Sequence, residues 1–256
     1  MKKTALIYAL WEKNLPALAR YLQGKPRVVL IPDYLASKAV VDAIVAAGSE
    51  ARLLPMQGLA SDAGFASPLL AQLEGTVGVS LCEAAGLPAG ALAVLSGEAK
   101  RDLPLVYQWL SLLEQAMLEY DIEITLVNED VLRDSKLLAL WSRRHEIPVL
   151  QVAHGTGLGR DYIGEDNHSD DIAVFSRRSA EFFIDLGVAP QHLHPIGNPA
   201  WDTYPELTRQ RETIRQQLAA QHGIDPKTRW LVFGTSWNAY LSALDQRDFD
   251  DQVDVA

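Results

Sequence analysis

The chain has 256 residues, 48% of them hydrophobic and 22% charged, with a formal net charge of −10. Such a composition fits a globular protein with one large core or two modest ones, needing neither metal nor disulfide for support. The acidic balance excludes a nucleic-acid groove, which depends on clustered Lys and Arg. The single cysteine, Cys82, excludes an intrachain disulfide and fits a reducing, cytoplasmic compartment.

The amino end, MKKTALIYALWEKNLPALAR, has a short basic start and a brief apolar run with no small-residue cleavage site. It reads as a first β-strand (Thr4–Leu10) rather than a signal peptide. No apolar run approaches the roughly 20 residues of a membrane span. A helix is expected through LPALARYLQ, and a second strand over Arg27–Pro32. A helix over Tyr34–Gly48 follows, closed by its glycine, then a short third strand in EARLLP. Residues 56–100 are hard to read: LLAQLEG looks helical, and AAGLPAGALAVLSGEA suits helix, strand or loop. Leu103–Asp121 carries apolar residues at three- and four-residue spacing and reads as a long helix.

Beyond that helix the alternation sharpens. Ile122–Asp130 is a strand ending in acids, VLRDSKLLALWSRRHE a helix, and IPVLQVAH a strand ending at His154. Asp171–Ser176 is a further strand, followed by the helix RRSAEFFIDLG with Gly187 as its stop. HLHPIGNPAWD holds a short strand and a turn. ELTRQRETIRQQLAAQHG is a largely polar helix, and RWLVFGTSW a last strand. Strand–helix alternation implies an α/β fold, a Rossmann-like parallel sheet with flanking helices. The pattern divides into a first domain over residues 1–198 and, over 199–256, a linker helix with the beginning of a second Rossmann-like domain.

In open parallel sheets, ligands sit outside the carboxyl ends of the strands. Two such ends carry chemistry here: Glu129-Asp130 and His154. A histidine at a cleft rim suits a general base that takes a proton from a substrate hydroxyl. The alternative is a histidine that merely closes a strand before glycines that turn the chain. Glu129-Asp130 either cap the following helix or contact an acceptor. GTGLGR is not a dinucleotide fingerprint, because the third glycine would fall on Arg160. No Walker loop and no Gly-x-Ser-x-Gly elbow is present. His192-x-His194 shares one strand face but has no third ligand at a fitting spacing, so no metal site is assigned. Glu165-Asp166 and Asp170-Asp171 around His168 read as a solvated acidic loop. Trp109 and Trp141 read as core, and Trp201 as packing at the domain seam.

The ordered set IPVLQVAHGT, DIAVFSRRSAEFFIDLGV, HPIGNPAWD and RWLVFGTSW resembles two-domain nucleotide-sugar glycosyltransferases of the GT-B fold. It is most similar to the bacterial surface-polysaccharide branch that includes the CDP-glycerol glycerophosphotransferases. Gln151, His154, Gly155 and Thr156 match a Gln-x-x-His-Gly-Thr-like strand end. Gly197, Pro199 and Asp202, with Asn198 between, match a Gly-x-Pro-x-x-Asp-like interdomain turn. The resemblance covers roughly residues 120–240. It implies an acceptor-side first domain and a donor-side second domain, with transfer in the cleft between them and no bound cofactor or metal. The donor is then a nucleotide-activated sugar or CDP-glycerol, and the acceptor a glycan or lipid-linked hydroxyl. Peripheral contact with the inner face of the membrane follows from such an acceptor.

On this resemblance His154 is the base, with Gly155, Thr156, Glu129 and Asp130 toward the acceptor. Gly234, Thr235 and Ser236 approach the donor phosphates. Only 54 residues follow Asp202 (256 − 202), fewer than the family's second domain spans. The expectation is therefore an incomplete donor half, and with it the alternative of an acceptor-binding domain without catalysis. Nucleotide-sugar 2-epimerases share the architecture and form a further alternative.

Overall fold

The computed structural model describes residues 2–56, 71–72, 74–88, 90–130, 132–153, 167–202 and 204–231. Contacts divide the chain into two units, Met1–Thr203 and Tyr204–Ala256. The first is built on a seven-stranded sheet among the described residues: β1 (Lys3–Ala9), β2 (Val28–Pro32), β3 (Glu50–Leu54), β4 (Tyr120–Val127), β5 (Val149–Val152), β6 (Asp171–Val174) and β7 (Leu193–Pro195). Every pairing is parallel, and the order is β3-β2-β1-β4-β5-β6-β7. The fold is α/β and Rossmann-like, with strand order reversing between β1 and β4.

The strands form because they are apolar on both sides. Ala5, Ile7 and Ala9 of β1 and Val28 and Leu30 of β2 face one core. Leu6, Tyr8 and Leu10 with Val29 and Ile31 face another. This two-sided burial explains their unbroken apolar runs, where a half-exposed strand would alternate. The first core is covered by α4 (Ala91–Glu119) and α5 (Arg133–Arg144), through Trp109, Leu113, Leu138 and Trp141. The second is covered by α1 (Leu15–Leu22) and α2 (Lys38–Ala46), through Leu18, Leu22, Val40 and Ile44. α3 (Thr76–Ala84) precedes α4, and α6 (Arg177–Asp185) packs Phe183 against Ile172, Val174 and Leu193. Trp109 and Trp141 are core residues, as their spacing predicts.

Helix boundaries follow local chemistry. Ser37 Oγ accepts the Val40 N–H at 3.3 Å to start α2, and Ser176 Oγ accepts the Ser179 N–H at 3.1 Å to start α6. Gly48, at φ +77°, takes the left-handed step that ends α2. The same step after α5 is taken by Glu146, at φ +58°, the one non-glycine with positive φ among the described residues.

The long helix departs from expectation. It begins at Ala91, twelve residues before Leu103, and hands over directly to β4 at Tyr120. Pro104 reads as a helix start because it fits a first turn. It lies inside the helix instead, buried, where good helix formers such as Ala99, Lys100 and Arg101 extend the helix behind it. The expected strand in RWLVFGTSW has only Arg229–Leu231 among the described residues, and these are not strand. In the second unit α7 (Tyr204–Arg209) and α8 (Arg211–His222) are described, and Arg215 lies 4.3 Å over the Trp230 ring.

Candidate functional site at the carboxyl edge of the sheet

Strand order places the ligand crevice of such a fold between the carboxyl ends of β1 and β4. Asn128, the first residue after β4, ties the two strand ends together. Its Oδ1 accepts from the Trp11 N–H (3.3 Å) and from Asn14 Nδ2 (3.4 Å), and its Nδ2 donates to the Ala9 carbonyl (3.4 Å). Asn14 and Asn128 are both buried. The turn from β1 to α1 reads Leu10-Trp11-Glu12-Lys13-Asn14, with no glycine. A pyrophosphate needs close backbone approach at this turn and open N–H groups at the helix start. Here bulky side chains fill the turn and a carboxylate stands in it. Glu12 accepts the Ser37 hydroxyl at 2.8 Å, and Lys13 lies 5.1 Å over the Trp11 ring. Burial holds the Lys13 ammonium below its ordinary pKa.

The two acids after β4 are both drawn inward. Glu129, 8% exposed, accepts the Leu132 N–H at 3.0 Å and the Ser135 hydroxyl at 2.6 Å. It thereby satisfies donors at the start of α5, where a carboxylate also meets the positive end of the helix. Asp130, 2% exposed, receives three donors on one oxygen. The His168 N–H, the Ser169 N–H and the Ser169 hydroxyl all lie 2.7 Å from Oδ2. The Ser169 hydroxyl also sits 3.5 Å from Gln151 Oε1, in the middle of β5. Asp130 thus pins the segment leading into β6 against β5.

His168 is half-buried. Its Nε2 is buried and has no hydrogen-bond partner among the described residues. Asp170 stays exposed, and its Oδ2 accepts the Val149 N–H at 2.8 Å. Asp171 accepts from His194 Nε2 at 2.7 Å and lies 3.8 Å from His192 Nδ1. The two histidines share a carboxylate, and no group of three metal-ligating side chains occurs among the described residues.

Gln151 is buried in β5, in register with Val127 of β4 and Ile172 of β6. β5 ends at Val152, and the described residues stop at Ala153, directly before His154. His154, Gly155 and Thr156 lie outside the described residues, as do Gly234, Thr235, Ser236 and the Glu165-Asp166 pair.

The turn residues belong to the first unit. Gly197 has φ +87°, a conformation that disfavours any side chain. The Asn198 carbonyl accepts the Trp201 N–H at 2.9 Å. Trp201 lies 5.7 Å from the Phe175 ring, and Asp202 reaches within 3.6 Å of Arg20 on α1. A cleft of about 350 Å³ separates Pro199 and Ile196 from Ala17 and Tyr21 of α1. The turn therefore carries the chain back from the β7 edge to the first helix.

Beside β2 the same carboxyl edge holds Asp33, Tyr34 and Arg133. Asp33 accepts the Met56 N–H at 3.1 Å. Arg133 lies over Trp109 at 5.1 Å and pairs with Asp102 and Asp134. Burial pushes the Tyr34 hydroxyl well above its ordinary pKa, and the charges of Asp134 and Glu129 add to the shift. Burial, helped by Glu12, does the same to Tyr8. Both phenols stay protonated at neutral pH. The edge as a whole carries both carboxylates and the cations Lys13 and Arg133, and the side chains of Asn128, Glu129 and Asp130 are engaged within the fold.

This edge and this sheet define an α/β protein with a Rossmann-order core that lacks a phosphate turn after its first strand. A scan against protein-family models finds no match to the chain, and a search of curated proteins finds none either. No helix among the described residues is long and apolar enough to cross a membrane.

Proposed function

We propose that the chain supplies the acceptor-side part of a GT-B type transferase of surface-polysaccharide synthesis. In this reading it presents an acceptor hydroxyl to a nucleotide-activated sugar or to CDP-glycerol. The observation that supports this most is the contrast between the ends of β1 and β5. The β1 turn has Rossmann topology but carries Trp11, Glu12 and Lys13 where a nucleotide-binding turn carries glycines. The strand carrying the Gln-x-x-His-Gly-Thr-like motif is β5, two strands from β1, and it runs parallel to β4. Its carboxyl end opens on the same edge as Asn128, Glu129 and Asp130. A domain that spares its first turn from phosphate binding, and whose fifth strand is followed in sequence by the histidine motif, suits an acceptor.

His154 is the general base in this reading, accepting the proton of the attacking hydroxyl, with Gly155 and Thr156 beside it. Gly234, Thr235 and Ser236 act toward the donor phosphates. Glu129 and Asp130 act on the acceptor side by positioning the loops that frame it, since their oxygens are engaged within the fold.

Transfer assays with CDP-glycerol and a panel of UDP-sugars test the assignment. Loss of a general base costs about 10²–10⁴-fold in rate, so His154→Ala should lower turnover by that order with its circular dichroism unchanged. Equal turnover in the variant removes His154 from the chemistry. Absence of measurable nucleotide affinity by calorimetry removes the donor-side role of Gly234, Thr235 and Ser236 and leaves acceptor binding without catalysis.

A further inference from the structure

A second cleft, of about 340 Å³, opens on the other edge of the sheet, where β6 begins and α5 ends. Arg143, in the last turn of α5, lines one part of it, and His192 lies before β7. Asp170 and Asn167, from the segment leading into β6, line another part, and Leu186 and Val188 form an aliphatic wall. α5 runs from the carboxyl edge of β4 down to the start of β5. Ser169 also lines the cleft, and through its bonds to Asp130 it links the cleft to the loop after β4.

Its charges are the informative feature. Arg143 has no ion pair or side-chain hydrogen bond among the described residues, and Asp170 has no ion pair. Asp170 uses Oδ2 for the Val149 N–H, and among the described residues no hydrogen bond is made by its Oδ1. A guanidinium and a carboxylate thus face one cleft without closing on each other. A simple anion would meet Asp170 there, and a simple cation would meet Arg143. A ligand with both charges satisfies both groups, and Arg143 matches a carboxylate in particular. The volume lies at the small end of ligand sites, too small for a nucleotide-sugar. The wall of Leu186 and Val188 suits a short aliphatic side chain.

We propose that this cleft binds a small free α-amino acid as its zwitterion. The carboxylate meets Arg143 and His192, the ammonium meets Asp170 and Asn167, and an aliphatic side chain lies against Leu186 and Val188. The inference rests on this cleft alone and is independent of the transferase reading.

Calorimetric titration with L-valine and L-leucine tests it, against isovalerate, which has only the carboxylate, and isobutylamine, which has only the ammonium. One charge-assisted contact is worth about tenfold or more in affinity. The amino acids should bind saturably, and each single-charge compound about tenfold more weakly or worse. Arg143→Gln and Asp170→Asn should each weaken amino-acid binding by a similar factor, while Arg144→Gln leaves it unchanged. Arg143 is an exposed helix residue, and Asn at 170 keeps an acceptor for the Val149 N–H, so both variants retain the fold. No binding of either amino acid up to about 10 mM, isovalerate binding as tightly as leucine, or unchanged binding in both variants overturns the proposal.

Discussion

At the scale of single residues, Asp130 is the most heavily committed side chain of the carboxyl edge. Three donors converge on one of its oxygens, and all three come from residues nearly forty positions away in sequence. Asp130→Ala leaves the His168 N–H without an acceptor and leaves the Ser169 N–H and hydroxyl only the longer contacts to Asn167 at 3.4 Å and Gln151 at 3.5 Å. An orphaned group costs about 1–3 kcal/mol, so a loss of about 2 kcal/mol or more is expected, read as a lower urea midpoint. Glu129→Ala removes a helix-start cap and should cost only about 1 kcal/mol. If both variants lose equally little, Asp130 does not anchor the segment. The sequence shows the two acids but not their different tasks. Glu129 bonds residues three and six positions ahead, and capping of that kind is readable from local pattern. The Asp130 link joins two loops that become neighbours only because β4, β5 and β6 lie side by side, and no local signal announces that. The burial of the His168 Nε2 is hidden for the same reason.

At the scale of elements, the strands were legible where both faces are buried. β1 and β2 show unbroken apolar runs, which is what a strand between two helical layers requires, while β4 interleaves Asp121, Glu123 and Thr125 with its apolar residues. The first half of α4 was not legible. Ala, Gly and Leu in that stretch suit several conformations, and Pro104 signals a helix start in sequence although the fold places it inside. The end of α5 offers a direct test. Glu146 holds a left-handed conformation there, with its N–H bonded to the Arg143 carbonyl at 3.1 Å and the Ile147 N–H bonded to the Ser142 carbonyl at 2.9 Å. A side chain in this conformation costs about 1–2 kcal/mol that glycine avoids. Glycine's greater freedom in the unfolded chain offsets part of that gain. Glu146→Gly should therefore raise stability by up to about 1 kcal/mol, seen as a higher melting temperature; a drop instead would show that the Glu146 side chain holds the loop.

At the scale of the whole molecule, acid sensitivity follows from carboxylates held below their ordinary pKa. Glu123 is the best-connected. Burial raises its pKa, but hydrogen bonds from Arg27 at 2.8 Å and Tyr21 at 3.0 Å outweigh this and leave it lowered. The Arg101 hydrogen bond lowers Asp102, the Trp141 indole lowers Glu114, and Lys3 lowers Glu50. A group lowered in the folded chain binds its proton more readily when unfolded. Its stabilising contribution is complete above the unfolded carboxylate range, near pH 4, and is lost as pH falls through the folded values. Urea midpoints should hold between pH 7 and 5 and fall below about pH 4. Glu123 is partly exposed, so solvent screens its pair and Glu123→Gln should cost less than about 1 kcal/mol at pH 7. The gap between the variant and the parent chain should narrow as pH falls below about 4. A constant gap between them across that range would assign the loss to packing instead of charge.

The parallel sheet places the first strand near its middle, with Ala5 beside Val28 on one side and Lys3 beside Tyr120 on the other. A chain made from its amino end therefore synthesises that strand long before its second neighbour exists. While the ribosome adds the more than one hundred intervening residues, one flank of Lys3–Ala9 has no partner to pair with. Long-range parallel pairing of this sort forms slowly, and an open flank is where nascent chains associate wrongly. Chaperone demand during translation should thus peak before Val127 emerges and ease after it.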